Sequence, residues 1–307
     1  MKTIIKSILA TLIILCATSN SAEAQLLWKV SKTGQPDSYI FGTHHLIPQS
    51  FLNDKPEVEK AYQASDVVIG EINISEMSNP ISMQYYMMAM AMPKDSALNI
   101  ILPFQEYEML VEGLKQYSLP IPQQALNGMR PAAITTIIAA TVSGQAVQKL
   151  FPGESTQQPI DFLFQQKATK DGKKIFGLET LRFQTDLLLK SKGFKETMDD
   201  LLKFIDCSKT VDMVQKAMEL TESYVKEDLY KLLEYTKDNV TCPNVKMSQK
   251  DLDAMINDRN TQWCKLLSSK YLTKQTNFIA VGALHLPGEK GLINLLQKEG
   301  YKVEAVR

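Results

Sequence analysis

The chain has 307 residues, with 34 basic and 34 acidic side chains, and 44% of its residues are hydrophobic. This balance excludes nucleic-acid binding through net positive charge and excludes an acidic tail, while the length suits one large α/β domain. Only four cysteines and three histidines are present, and no two cysteines have the spacing of a structural zinc site.

The first 24 residues read as an export signal. Lys2 and Lys6 make a basic start, "SILATLIILCA" an apolar centre, and "AEA" (22–24) a small-x-small cleavage site. A mature chain from Gln25, periplasmic or extracellular, is expected. A lipid-modified Cys16 is the lesser alternative, because Leu15 precedes it where a lipoprotein signal wants a small residue. No later run is apolar for long enough to span a bilayer, so no stable membrane span is expected after cleavage.

Five apolar runs then predict strands: "SYIFGT" (38–43), "DVVIGEI" (66–72), "KKIFGLE" (173–179), "NFIAVGA" (277–283) and "YKVEAV" (301–306). Each is apolar on both parities for several residues, the pattern of strands covered on both faces. Helical periodicity fills the gaps. "PEVEKAYQA" follows the cap residues Asn53 and Asp54, with Pro56 suited to a first turn. From Phe104 to Tyr117 the apolar residues fall on one face, and "PAAITTIIAATV" (131–142) predicts a core helix. "TLRFQTDLLLKSKG" is expected to stop at Gly193, and helical patterns cover 196–236 and 248–270. The Met-rich "MQYYMMAMAM" (83–92) reads as core filler rather than a copper site, since no His or Cys accompanies it. The fold class is α/β, a helix-covered central sheet built from both chain ends. Residues 25–307 form a single domain, with helical insertions at 80–170 and 185–270. Cys207 and Cys242 are expected to pair, leaving Cys264 buried and free.

All three histidines follow a glycine at the end of two similar strands. "YIFGTHHLIP" (39–48) and "FIAVGALHLP" (278–287) both run apolar strand, Gly, two residues, His, Leu. Ligands of open α/β sheets sit beyond the carboxyl ends of the strands, so His45 and His285 are expected to converge there. His44 points to the other side of an extended backbone and ranks lower as a ligand. Glu71 closes "VVIGE" and Glu179 closes "IFGLE"; a charge ending an apolar strand needs a partner. Arg259 lies inside the stripe of Leu252, Met255, Ile256 and Trp263, so it faces inward and needs an anion. Two imidazoles and one or two carboxylates can hold a divalent metal with open positions. The same groups can also work without metal, with a carboxylate-assisted His as general base and Arg holding an anion. Spacing leaves both open.

The paired GxxH motifs, the "GE" of "VVIGEI", "GLET" (177–180), "RN" (259–260) and "GALHLPGEKGLINLLQKEGYKV" together resemble the TraB/GumN family, related to the Tiki proteases. The resemblance runs over most of the mature chain and is weakest over 80–170. It implies an α/β core related to the erythromycin-esterase and ChaN-like proteins. From the Tiki branch it implies a metal-dependent protease using manganese or cobalt, with His45, His285 and Glu71 in the matching positions. His44 occupies the variable slot of the motif, and the helical insertions differ, so the Tiki substrate does not carry over. The expected function is an exported hydrolase with a divalent metal of the Mn, Co or Zn class. His45, His285, Glu71 and His44 are its candidate ligands, and Glu71, Arg259 and Glu179 its catalytic groups, acting on a peptide or small-molecule substrate. The alternatives are a metal-independent esterase-like hydrolase and a protein that sequesters a peptide or haem. Nothing in the sequence specifies an oligomeric state.

Overall fold

The apolar runs assemble into one six-stranded sheet: β1 (Leu27–Ser31), β2 (Ser38–Thr43), β3 (Val67–Gly70), β4 (Lys174–Gly177), β5 (Asn277–Gly282) and β6 (Lys302–Ala305). The spatial order is β4–β3–β5–β2–β1–β6. This computed structural model describes residues 25–119, 121–154, 159–236 and 248–307. The expected signal peptide and Cys16 lie outside the described residues, as does Cys242.

Strands β4, β3, β5 and β2 are parallel neighbours, with Gly70 beside Gly177 and Ala280, and Thr43 beside Gly282. Their carboxyl ends therefore form one edge. Strand β1 runs antiparallel to both β2 and β6. Strands β3 and β5 are the most deeply buried; β3 is buried throughout and β5 nearly so. Helix Ile160–Lys170 covers one face, where Phe164 packs 4.6 Å from Phe278 and 5.7 Å from Phe41, ring centroid to centroid. The result is the expected α/β fold with a central sheet and helical insertions.

A second apolar cluster, centred on Leu98, Leu110, Ile134, Ile138, Leu201 and Ile205, lies within the helical insertions. Helix Pro131–Leu150 supplies much of it. Among the described residues no helix is long and apolar enough to cross a membrane. Cys264 is a buried free thiol as expected, and Cys207 is disulfide-bonded.

Several expectations are corrected. Strand β1 was not among the five predicted, because "LWKVS" is short and mixes Trp with Lys and Ser. Strands β4 and β6 are edges of the sheet, not covered on both faces. Gly193 does not end the preceding helix; with φ −67° it is the N-cap of helix Phe194–Ser208. The 248–270 pattern forms one run from Gln249 to Tyr271 that includes π-helical turns at Asp253–Asn257 and Leu267–Tyr271. The Met-rich helix Pro80–Met90 is only partly core, since Met87 is 60% and Met88 67% exposed.

Candidate functional site

Each of the four parallel strands delivers one side chain to the shared edge. In spatial order these are Glu179 beyond β4, Glu71 beyond β3, His285 beyond β5 and His45 beyond β2. Glycines make this approach possible. A Cβ on Gly282 would stand 3.3 Å from Glu71 Oε1 and 3.5 Å from His285 Cδ2. A Cβ on Gly70 would overlap Gln165 Nε2. That amide clamps the turn after Glu71 by donating to Ile72 O (3.0 Å) and accepting from Ile74 N (2.9 Å).

Arg259 ties three of the four together. Its Nε and Nη2 donate to the two oxygens of Glu179 at 3.1 and 2.6 Å, a bidentate fork. Nη2 also reaches Glu71 Oε2 at 2.6 Å. Nη1 donates to Met255 O at 2.9 Å and lies 3.1 Å from His285 Nε2. The π-helical turn carries Met255, and the helix Asp258–Leu266 that follows presents Arg259, Asn260 and Trp263 to the interior. Trp263 lies under the cluster. Its indole is 4.5 Å from the Arg259 guanidinium and 4.4 Å from the His285 ring, and its Nε1 donates to Glu179 Oε2. Gln184 Nε2 and the Gly282 amide complete the donors to Glu71.

The tautomer of His285 follows from its neighbours. Asn260 Nδ2 donates to the carbonyls of His285 and Lys290, which fixes the amide so that Oδ1 faces the ring. At 2.6 Å from that oxygen, His285 Nδ1 carries the proton, and Nε2 keeps its lone pair toward Arg259 and Glu71. Burial pushes the His285 imidazole down to about 4 despite the facing Glu71 carboxylate. At neutral pH it is uncharged, and Arg259 is the standing cation of the cluster. Burial alone would raise the Glu71 carboxyl, but His285, Arg259 and His45 outweigh it and hold it at about 2. Burial lifts the Glu179 carboxyl above its ordinary value, against the pull of Arg259.

His45 is arranged differently. Its side chain is 66% exposed, and its Nδ1 lies 2.6 Å from Asp161 Oδ2, on the helix that also carries Gln165. The charge of Asp161 and this hydrogen bond push its imidazole up. It hydrogen-bonds none of the Arg259 cluster, although its charge bears on both Glu71 and His285. His44 turns away; its ring lies against Tyr224, and its Nδ1 accepts from the Leu46 amide.

The structure thus brings Glu71, Glu179, Arg259 and His285 into direct contact, sets His45 at the neighbouring strand end, and leaves His44 outside. Among the described residues no group of three or more His, Cys, Asp and Glu is assembled to hold a metal ion. The donor chemistry fits such an ion in two places out of three. Glu71 Oε1 and His285 Nε2 face each other at 3.8 Å, and His45 presents an exposed ring from the adjacent strand.

Sequence reasoning missed Asp161, Asn260, Trp263 and Gln184 as members of this network. Asp161 lies beside the stripe of Ile160, Phe164 and Ala168 and is 7% exposed, but in the sequence it reads as an ordinary first-turn acid. Comparison with curated proteins and with solved structures found no match. A family model, however, matches residues 26–305, every strand included, and the chain belongs to the TraB/PrgY/gumN family.

Proposed function

We propose that this chain is an exported hydrolase that cleaves peptides with a divalent ion held by His45, His285 and Glu71. The observation that carries this reading is the separation of Glu71 Oε1 from His285 Nε2, 3.8 Å. Two donors that each lie about 2.0–2.2 Å from one ion stand roughly 3–4 Å apart. An ion of the Mn, Co or Zn class would supply an acidified water and a polarised carbonyl.

The protein's own groups have separable tasks. Asn260 holds the His285 ring with its Nε2 lone pair inward. The Gly282 amide and Gln184 fix the two oxygens of Glu71 and keep it ionised and aimed. Glu179 and Trp263 hold the guanidinium, with Met255 O taking one of its protons. Arg259 is then a fixed cation beside the place where a scissile carbonyl gains negative charge. Peptides as a class follow from the resemblance to proteases, although the particular Tiki substrate does not carry over.

The test is metal content and peptide hydrolysis of the mature chain, before and after chelation. Stoichiometric metal, lost in His285→Ala together with turnover, is the expected result. Hydrolysis that survives chelation in a metal-free preparation would overturn the metal part. In that event a second reading applies, a metal-independent hydrolase in which His285, neutral and with its lone pair on Nε2, acts as the general base on water while Arg259 holds an anion. Export is tested separately by mass spectrometry, which should find Gln25 at the N-terminus.

A further inference from the structure

Both histidines at the shared edge are anchored through the same ring atom. His285 Nδ1 meets Asn260 Oδ1 at 2.6 Å, and His45 Nδ1 meets Asp161 Oδ2 at 2.6 Å. In each case Nε2 is the nitrogen turned away from the anchor: in His285 it faces Arg259 Nη1 at 3.1 Å, and in His45 it is left for other work. For His285 the anchor is one constraint among many, since Trp263, Arg259 and full burial already fix the ring. For His45 the anchor stands nearly alone. Its imidazole is 66% exposed, on a loop beyond the last residue of β2, and no other hydrogen bond holds the ring among the described residues.

Asp161 itself is expensive where it sits. Its side chain is 10% exposed. One oxygen is used by His45, while Oδ1 is buried and has no hydrogen-bond partner among the described residues. A buried carboxylate oxygen without a partner costs stability, by the full desolvation of that atom. Its neighbours in the helix are Ile160, Phe162 and Phe164, so an apolar residue would fit the local pattern better. A residue that lowers stability where an apolar one would serve is the kind retained for function. Gln165, one turn on, clamps the turn that follows Glu71. One helix thus reaches the exits of both β2 and β3.

We propose that Asp161 is a positioning residue: through its hydrogen bond to Nδ1 it orients the exposed His45 ring so that Nε2 faces the ligand at the strand edge. This rests on the hydrolase reading for the identity of that ligand, but the orienting role stands on the geometry alone. Outer carboxylates of this kind fix the ring orientation of metal-ligating histidines, and their loss weakens metal affinity about 10–100-fold.

The experiment compares the mature wild-type chain with Asp161→Asn and Asp161→Glu, using manganese as the probe. Three readouts are taken: the proton NMR signal of the His45 Nδ1–H, assigned with His45→Gln; manganese affinity by titration calorimetry; and the melting temperature. In the metal-free wild type a strongly deshielded Nδ1 proton is expected, lost in Asp161→Asn. Manganese affinity should fall about 10–100-fold in both variants, while Asp161→Asn melts at or above the wild-type temperature. A merely structural Asp161 would give the opposite signature, lower melting with unchanged affinity, and would overturn the proposal. An Nδ1 proton identical in wild type and Asp161→Asn would also overturn it. If the wild type binds no manganese, the metal reading fails by itself. The NMR comparison then still decides whether Asp161 orients His45.

Discussion

The ends of β5 and β2 lie side by side on one sheet edge, and each carries a histidine, yet they are built in opposite ways. His285 is 4% exposed, both ring nitrogens have partners, and its neighbours Glu71, Glu179 and Arg259 are bound to one another. His45 is 66% exposed and holds one partner, whose second oxygen is buried and unsatisfied among the described residues. The first end is a closed network in which one guanidinium binds two carboxylates and geometry is rigid. The second is open and pays for its single anchor with a buried carboxylate. A reaction centre needs both qualities: fixed charges that need not reorganise, and one group that can meet what arrives from solvent.

The sharpest way to break the contrast is at Arg259. Removing one partner of a buried ion pair typically costs 3–5 kcal/mol, and Arg259→Ala would strand two carboxylates at once. Urea unfolding should show a loss at the top of that range. Arg259→Lys should recover part of it, because the charge stays while the fork to Glu179 is lost. A loss under about 1 kcal/mol would mean that the closed network is not what holds this end together.

Acid offers a smaller, graded probe. The His285 imidazole is held at about 4, below its ordinary 6.5. The folded state therefore disfavours the proton, and the associated stability is complete above pH 6.5 and lost as pH falls through 4. Burial holds His44 at about 4 as well, so it acts in the same direction. His45 has the opposite sign: its value is raised, so its contribution is complete below pH 6.5 and lost only as pH rises through about 9. Acidification from pH 6.5 to 4 should thus lower the melting temperature, by up to roughly 3 kcal/mol of stability for His285. His285→Gln should flatten that slope, and an unchanged slope would contradict the assignment of His285 as neutral.

The smallest effect on stability is expected from His45→Ala. An exposed ring with one ionic partner contributes at most about 1 kcal/mol, so the melting temperature should barely move. Under the proposed function the same change abolishes metal binding and turnover. The two histidines are then separable: His285→Ala should damage both fold and function, His45→Ala function alone.

Much of this was legible in the sequence, for a physical reason. Glu71 and Glu179 each follow a strand of apolar residues and a glycine, and ionised groups rarely end such strands without partners. Arg259 was marked by its place in an apolar helical stripe. Strand β1 was harder, because a short strand one position from the sheet edge mixes polar and apolar residues. Asp161 was hidden because a first-turn acid after Pro159 looks like an ordinary helix start, and its partner is 116 residues away. The Met-rich helix misled in the other direction: apolar residues on a solvent face carry no mark that separates them from core.

The strand order has a consequence for how the protein comes into being. Strands β4 and β3 pair with each other, and β2 pairs with β1, but the two pairs touch only through β5. Strand β5 begins at Asn277, so for most of its synthesis the chain consists of two half-sheets with no common neighbour. Glu71 and Glu179 belong to one half, His45 to the other, and His285 arrives with the strand that joins them. The cluster at the edge is therefore incomplete until β5 is made and the longest-range pairings have closed, the slowest class of contact to form. A truncated or stalled product would carry exposed, unpaired edges of β2 and β3, a signal for proteolysis or aggregation. The architecture therefore ties assembly of the four-strand edge, and of the cluster on it, to the strand that joins the two halves.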